Sequence, residues 1–170
     1  MGRITPEELS RLYRAHAPAL RLYVRQWSMG DEDLVQDAFV KLAQQPRAPD
    51  RVLPWLYAVV RNGALAASRG LARRRRRESR ASPTEAWFSS TDDRIDGQAA
   101  TDLLAELALE QREVLVARIW GGLTFEEVAQ LVGCSLPTAH RRYQTGLTIL
   151  REKLEGEGQW TPTVPGRKTT

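Results

Sequence analysis

Apolar side chains recur at helical spacing in two blocks of this chain, and the rhythm vanishes between Ser79 and Gln98. Steps of three and four residues put a continuous apolar stripe along one side of an α-helix. Such a stripe must be buried against another helix, so each block folds as its own small helical stack. The chain's 170 residues leave room for two small domains. The fold expected is therefore all-α: a helical domain over 5–78, a flexible linker over 79–98, a second helical domain over 99–155 and a disordered tail over 156–170. Ser, Pro, Thr and Asp crowd the linker, with the aromatic pair Trp87-Phe88 as its exception.

Local signals place the helices of the first block. Thr5-Pro6-Glu7-Glu8 combines an N-cap, a proline at the first helical position and the glutamate of a capping box. Leu9, Leu12, Tyr13, Leu20, Tyr23, Val24 and Trp27 follow at helical spacing. Pro18 lies among them and predicts a kink or split near Ala17. Asp31 or Asp33 can cap a second helix from about Leu34 to Gln45. A third spans about Val52 to Arg75, with Leu53, Leu56, Val59, Val60 and Leu65 as its stripe and Trp55 and Tyr57 as core rather than stacking surfaces.

The second block carries the sharpest pattern. Thr124-Phe125-Glu126-Glu127 is another capping box and opens a short helix with Val128, Ala129, Leu131 and Val132 on its buried side. Gly133 stands where a left-handed helix terminus belongs, and Ser135 caps the next helix, with Pro137 in its first turn. Ala139, Tyr143, Leu147, Leu150 and Leu154 give that helix its apolar side. Two helices joined by so few residues, with small Ala129 and Ala139 at their crossing, form a helix-turn-helix. The opposite face of the second helix presents Thr138, His140, Arg141, Gln144 and Thr145, with Arg142 alongside and Ser135 at its start. Arginine can read guanine and glutamine adenine in a major groove, and either arginine can instead hold phosphate.

Charge distribution says more than the net value of +4. Between Arg61 and Arg80 the basic residues Arg61, Arg69, Arg73, Arg74, Arg75, Arg76, Arg77 and Arg80 face the single acid Glu78. With the group His140 to Arg142, this makes two separated basic islands, as for a polyanion touched at two places. The apolar and charged shares, 42% and 27%, are those of a globular protein, and no run is long enough to span a membrane. One cysteine, Cys134, excludes an internal disulfide and a cysteine metal cage, and with no secretory leader a cytoplasmic setting is expected. An enzyme acting on nucleic acid needs clustered metal ligands or a phosphate loop. His16 and His140 are the only histidines, and neither a glycine-rich loop nor a cofactor motif occurs, so no catalytic residue, metal or cofactor is expected.

These motifs resemble a known family. Residues Leu107 to Leu154, with Glu110-Gln111-Arg112-Glu113-Val114-Leu115 and Leu123 to Ala129, are similar to domain 4 of the extracytoplasmic-function sigma factors. Asp33-Leu34-Val35-Gln36-Asp37-Ala38-Phe39 resembles sigma region 2.2, and Trp55 to Asn62 the start of the helix after it. The resemblance implies an RNA polymerase sigma factor, with core RNA polymerase (its β′ and β subunits) and promoter DNA as partners. It implies polymerase binding through Asp33, Gln36, Asp37 and Lys41. It further implies −10 recognition through Arg61, Asn62, Arg69 and Arg73 to Arg77, and −35 recognition through the helix starting at Ser135. Many relatives are held by an anti-sigma protein, and a monomer is expected when free. Ala108 departs from the family, which usually has proline there. A stand-alone helix-turn-helix regulator is the alternative, but it leaves the 33–39 signature and the arginine run without a role.

Overall fold

The computed structural model describes residues 2–27, 31–78 and 103–156, with backbone alone at Asp31, 74–78 and Gly156. The linker with Trp87-Phe88, and the tail beyond residue 156, lie outside the described residues.

Helix α1 runs Pro6–Val24 from the expected cap: Glu8 N donates to Thr5 Oγ1 at 3.2 Å and Thr5 N to Glu8 Oε2 at 2.9 Å. The split predicted at Pro18 does not occur; proline sits inside a continuous helix. Proline removes one donor, that to the carbonyl of Arg14, but Pro18 and Arg14 are on the exposed side where water can replace it. Ala17 and Leu20 on either side are buried and pin the helix down. A 3-10 turn, Arg25–Trp27, ends this element.

Helix α2, Asp31–Gln44, begins three residues before the expected Leu34. Asp33 is therefore in the first turn rather than at a cap, where its carboxylate still meets the positive end of the helix dipole. Helix α3, Val52–Glu78, extends past the expected Arg75. It buries Leu56, Tyr57, Val60 and Ala64, confirming Tyr57 as core.

The second unit starts with a helical turn at 103–105, which buries Leu104 and leads to buried Leu107. Helix α4 follows, Leu109–Ile119. Ala108 precedes it with φ −58°, the angle a proline would impose, so the missing proline leaves the helix start unchanged. Helices α5, Phe125–Val132, and α6, Leu136–Gly156, form the helix-turn-helix. Its capping box is complete, with Glu127 N donating to Thr124 Oγ1 and Thr124 N to Glu127 Oε2 at 2.7 Å. Gly133 adopts φ +70°, a conformation that side chains resist, and turns the chain toward α6. Ser135 caps α6 as expected, accepting from Thr138 N at 3.3 Å, and Ala139 is fully buried.

The two units are not separate bodies. Buried side chains of α1, α2 and α3 form one continuous cluster with those of α4 and α5, including Val114, Ala117 and Val128.

Replacing Thr124 by alanine removes one arm of the capping box and should cost about 1 kcal/mol. A melting temperature lower by about 3 °C, measured by circular dichroism, is the expected outcome; an unchanged value would refute the cap's contribution.

Candidate nucleic-acid and partner interfaces

Helix α6 is anchored by its inner side against α4 and α5, which turns the expected recognition residues outward. Ser135, His140, Arg141, Gln144 and Thr145 are exposed, while Thr138 and Arg142 are half-buried. Thr138 and Ser135 share a hydroxyl contact of 2.8 Å, so both are partly committed to the cap. Cys134, half-buried in the turn, points its thiol at the carbonyl of Ser135 at 3.4 Å.

One feature of this face had no counterpart in the sequence pattern. Phe125, the first residue of α5, stacks on His140 with ring centroids 3.8 Å apart and planes 28° apart. Tyr143 meets Phe125 edge-on at 5.2 Å, and the Arg118 guanidinium carbon lies 5.0 Å from the Phe125 centroid. Arg118 is itself fixed by donating to the Leu123 carbonyl at 3.0 Å. The imidazole of an exposed residue is thus held in one orientation by a supported aromatic ring. The available signal is an aromatic residue at the first position of a helix whose other apolar residues are aliphatic.

Helix α2 divides cleanly. Val35, Ala38, Phe39 and Leu42 are buried, and the four expected polymerase-binding residues, Asp33, Gln36, Asp37 and Lys41, are all exposed together on the other side. Val40 lies among them with 53% of its surface exposed, an apolar centre to a polar face. In the sequence a lone valine reads as core until its register is counted from Gln36 and Asp37. Glu32 pairs with Arg21 of α1 at 3.1 Å beside this face.

The basic edge of α3 is less uniform than expected. Asn62, Arg69 and Arg73 are exposed, and the side chains of Arg74, Arg75, Arg76 and Arg77 lie outside the described residues. Arg61 is separated from them. Its side chain is only 20% exposed, and Nε donates to Glu113 Oε1 at 2.8 Å. Tyr23 Oη donates to the same oxygen at 2.9 Å, and the Glu113 side chain is 6% exposed. The group joins α1 and α3 of the first unit to α4 of the second. Burial and then the Glu113 carboxylate push the Tyr23 phenol well above its ordinary pKa. Burial pulls Arg61 down, but its hydrogen bond and charge interaction with Glu113 outweigh this and raise it. Both donors therefore keep their protons throughout the physiological range.

Aromatic rings surround this contact. Tyr23 packs edge-on against Trp27 at 5.4 Å and Tyr57 at 4.9 Å. Gly121, after α4, allows the close approach: a Cβ there would fall 2.6 Å from Tyr57 Oη. A second bridge links Arg51, before α3, to buried Glu127 of the helix-turn-helix at 2.6 Å. Among the described residues no group of three or more His, Cys, Asp or Glu is placed to hold a metal ion, and no helix is long and apolar enough to cross a membrane.

The Phe125–His140 stack predicts coupling between the two positions. In urea unfolding of Phe125→Leu, His140→Ala and the double variant, a coupling energy of about 0.5–1 kcal/mol is expected. Strict additivity would show that the stack contributes nothing.

Comparison with known proteins agrees with this arrangement. The profile for sigma-70 region 2 matches residues 12–81, and that for sigma-70 region 4 matches residues 97–150. The RNA polymerase sigma factor CarQ of Myxococcus xanthus is 29% identical over 153 residues, which is 84% of this chain and 87% of the relative. The RNA polymerase sigma-E factor of Streptomyces avermitilis is 36% identical over 73 residues, 43% of this chain and 41% of that one. Among solved structures, the sigma factor RpoE of Bartonella quintana, crystallised with the anti-sigma factor NepR, superposes with a TM-score of 0.69 at 25% identity, covering 89% of this chain and 98% of that one. CnrH, solved with the cytosolic domain of CnrY, shares the fold with a TM-score of 0.60 at 21% identity, over 91% and 92% of the two chains. With region 2 and region 4 in order on one helical chain, the protein belongs to the extracytoplasmic-function sigma factors of the sigma-70 family.

Proposed function

We propose that this sigma factor carries out its role through three surfaces: α2 for core RNA polymerase, the basic edge of α3 for the −10 element, and the outer face of α6 for the −35 element. The observation that carries this proposal is the consistent outward placement of Asp33, Gln36, Asp37 and Lys41 on one helix and of His140, Arg141, Gln144 and Thr145 on another. Each set stands opposite a buried apolar face, so rigid packing presents it. The acidic and polar α2 face, with Val40 at its centre, suits a basic partner surface with an apolar spot. On α6, Gln144 is placed for a base edge, while Arg141 and Arg142 flank it as phosphate or guanine ligands. Asn62, Arg69 and the arginines from Arg73 to Arg77 supply backbone cations for a melted strand.

The chain acts without chemistry of its own and in the cytoplasm, where promoter DNA and polymerase meet. Its domains are 5–78 and 99–155, joined through 79–98. An anti-sigma protein is a further partner, as in the solved complex of the Bartonella quintana sigma factor.

Run-off transcription with core polymerase across genomic fragments tests the function, and absence of any promoter-dependent transcript would overturn it. On a promoter so identified, Gln144→Ala should cost about 1–3 kcal/mol and relax preference at one −35 base pair. Arg142→Ala should weaken all sequences alike and lower the salt slope by about 1. Val40→Asp should abolish co-purification with core polymerase while leaving the helical spectrum intact; retained binding would remove α2 from the polymerase interface.

A further inference from the structure

On the outer face of α6, His140, Arg141, Gln144 and Thr145 are exposed, and among them His140 has its side chain packed on another helix. The α6 helix opens at Leu136, so His140 belongs to the early part of a recognition helix, where base edges are met. The polar side chains before it, Ser135 and Thr138, are engaged with each other at 2.8 Å. Neither ring nitrogen of His140 has a hydrogen-bond partner among the described residues. A neutral imidazole then offers one donor and one acceptor, both in the plane of its ring.

That plane is set by Phe125. The half-buried phenyl ring lies 3.8 Å from the imidazole and 28° from parallel, and Tyr143 and Arg118 contact the phenyl ring in turn. Stacking covers one face of the imidazole and leaves its edge for contact. A base pair presents donors and acceptors in its own plane, so a reader with a fixed plane can select among them. Phosphate carries no sequence information and rewards charge rather than orientation. The local charge also disfavours phosphate. Glu126, next to Phe125, stays ionised: hydrogen bonds from its own amide and the Thr124 hydroxyl hold its carboxyl below the usual range, and the charge of His140 adds to them. A phosphate brought against His140 would meet this carboxylate as well, and like charges repel; an uncharged base edge would not.

We propose, on the basis of the function set out above, that Phe125 is a positioning residue for promoter recognition. It holds the His140 imidazole as a rigid reader of one base pair in the −35 element. Gln144 follows one turn later on the same face, about 6 Å along the axis, which is close to two base-pair steps. His140 and Gln144 therefore read separate pairs, and Phe125 acts on the first of them only, through the imidazole.

The test is selection of −35 sequences by the holoenzyme, core polymerase with the full-length chain, from a promoter library randomised over that element. Wild type should favour one base at the His140 pair by about tenfold. His140→Ala should reduce that preference to within about twofold, leave the other pairs as they are, and keep the salt slope of binding, since no phosphate contact is lost. His140→Lys, a cation without a ring, should bind but show no preference at this pair. Phe125→Leu should flatten the same pair and no other, while Phe125→Tyr, which keeps the ring, should retain the preference. Phe125→Met, closer in volume, serves if Phe125→Leu does not keep its helical spectrum. A loss of affinity spread evenly over all sequences in well-folded Phe125 variants would mark a purely structural ring and overturn the assignment. So would unchanged preference in those variants, or a salt slope lower by about 1 in His140→Ala. Each of these results leaves the sigma function standing, whereas no selection by wild type at any upstream pair would overturn both.

Discussion

A single buried carboxylate holds the architecture together. Removing a charged group from water costs on the order of several kcal/mol, and the interior compensates only when geometry and hydrogen bonding are complete. Glu113 meets that condition by drawing a phenol from α1 and a guanidinium from α3 onto one oxygen, within 2.9 Å and 2.8 Å. Its position thereby constrains three helices at once. The rings of Tyr23, Trp27 and Tyr57 fill the surrounding space, and Gly121 lets Tyr57 close against the end of α4. The Arg51–Glu127 ion pair and the shared apolar cluster join the two helical stacks as well, but among the described residues only this group ties three helices through one carboxylate oxygen.

What could be read from the sequence was local. Both capping boxes, the left-handed Gly133 and the outward residues of α2 and α6 follow from spacings of three to seven residues, and they are found as expected except for Thr138 and Arg142, which are half-buried. The Glu113 contact could not be read that way. Its partners are 90 and 52 positions distant, and no periodicity connects them. In the sequence Arg61 groups with the arginines after it, because an arginine's sequence context does not reveal which anion it faces. Pro18 does not split α1 because the lost hydrogen bond falls on the wet side of a helix whose neighbouring residues Ala17 and Leu20 are buried.

The two exposed faces are supported differently, and the difference suits the tasks proposed for them. The α2 face is a plain amphipathic surface whose side chains stand exposed around Val40. Such a surface adapts to a large protein partner. The α6 face has a fixed element, because His140 lies flat on Phe125 and Phe125 is flanked by Tyr143 and Arg118. A groove with a set pattern of donors and acceptors favours side chains already oriented for it, since less freedom is then lost on contact.

Glu127 divides its two oxygens between two jobs. One accepts the Thr124 amide that starts the first helix of the helix-turn-helix, and the other meets Arg51 of the neighbouring unit. If the neighbour leaves, only the second oxygen changes its company, and the helix start keeps its amide. The first turn of the helix-turn-helix is thus framed by its own residues, and loss of Arg51 would remove a tie between the units without removing the cap that starts the helix.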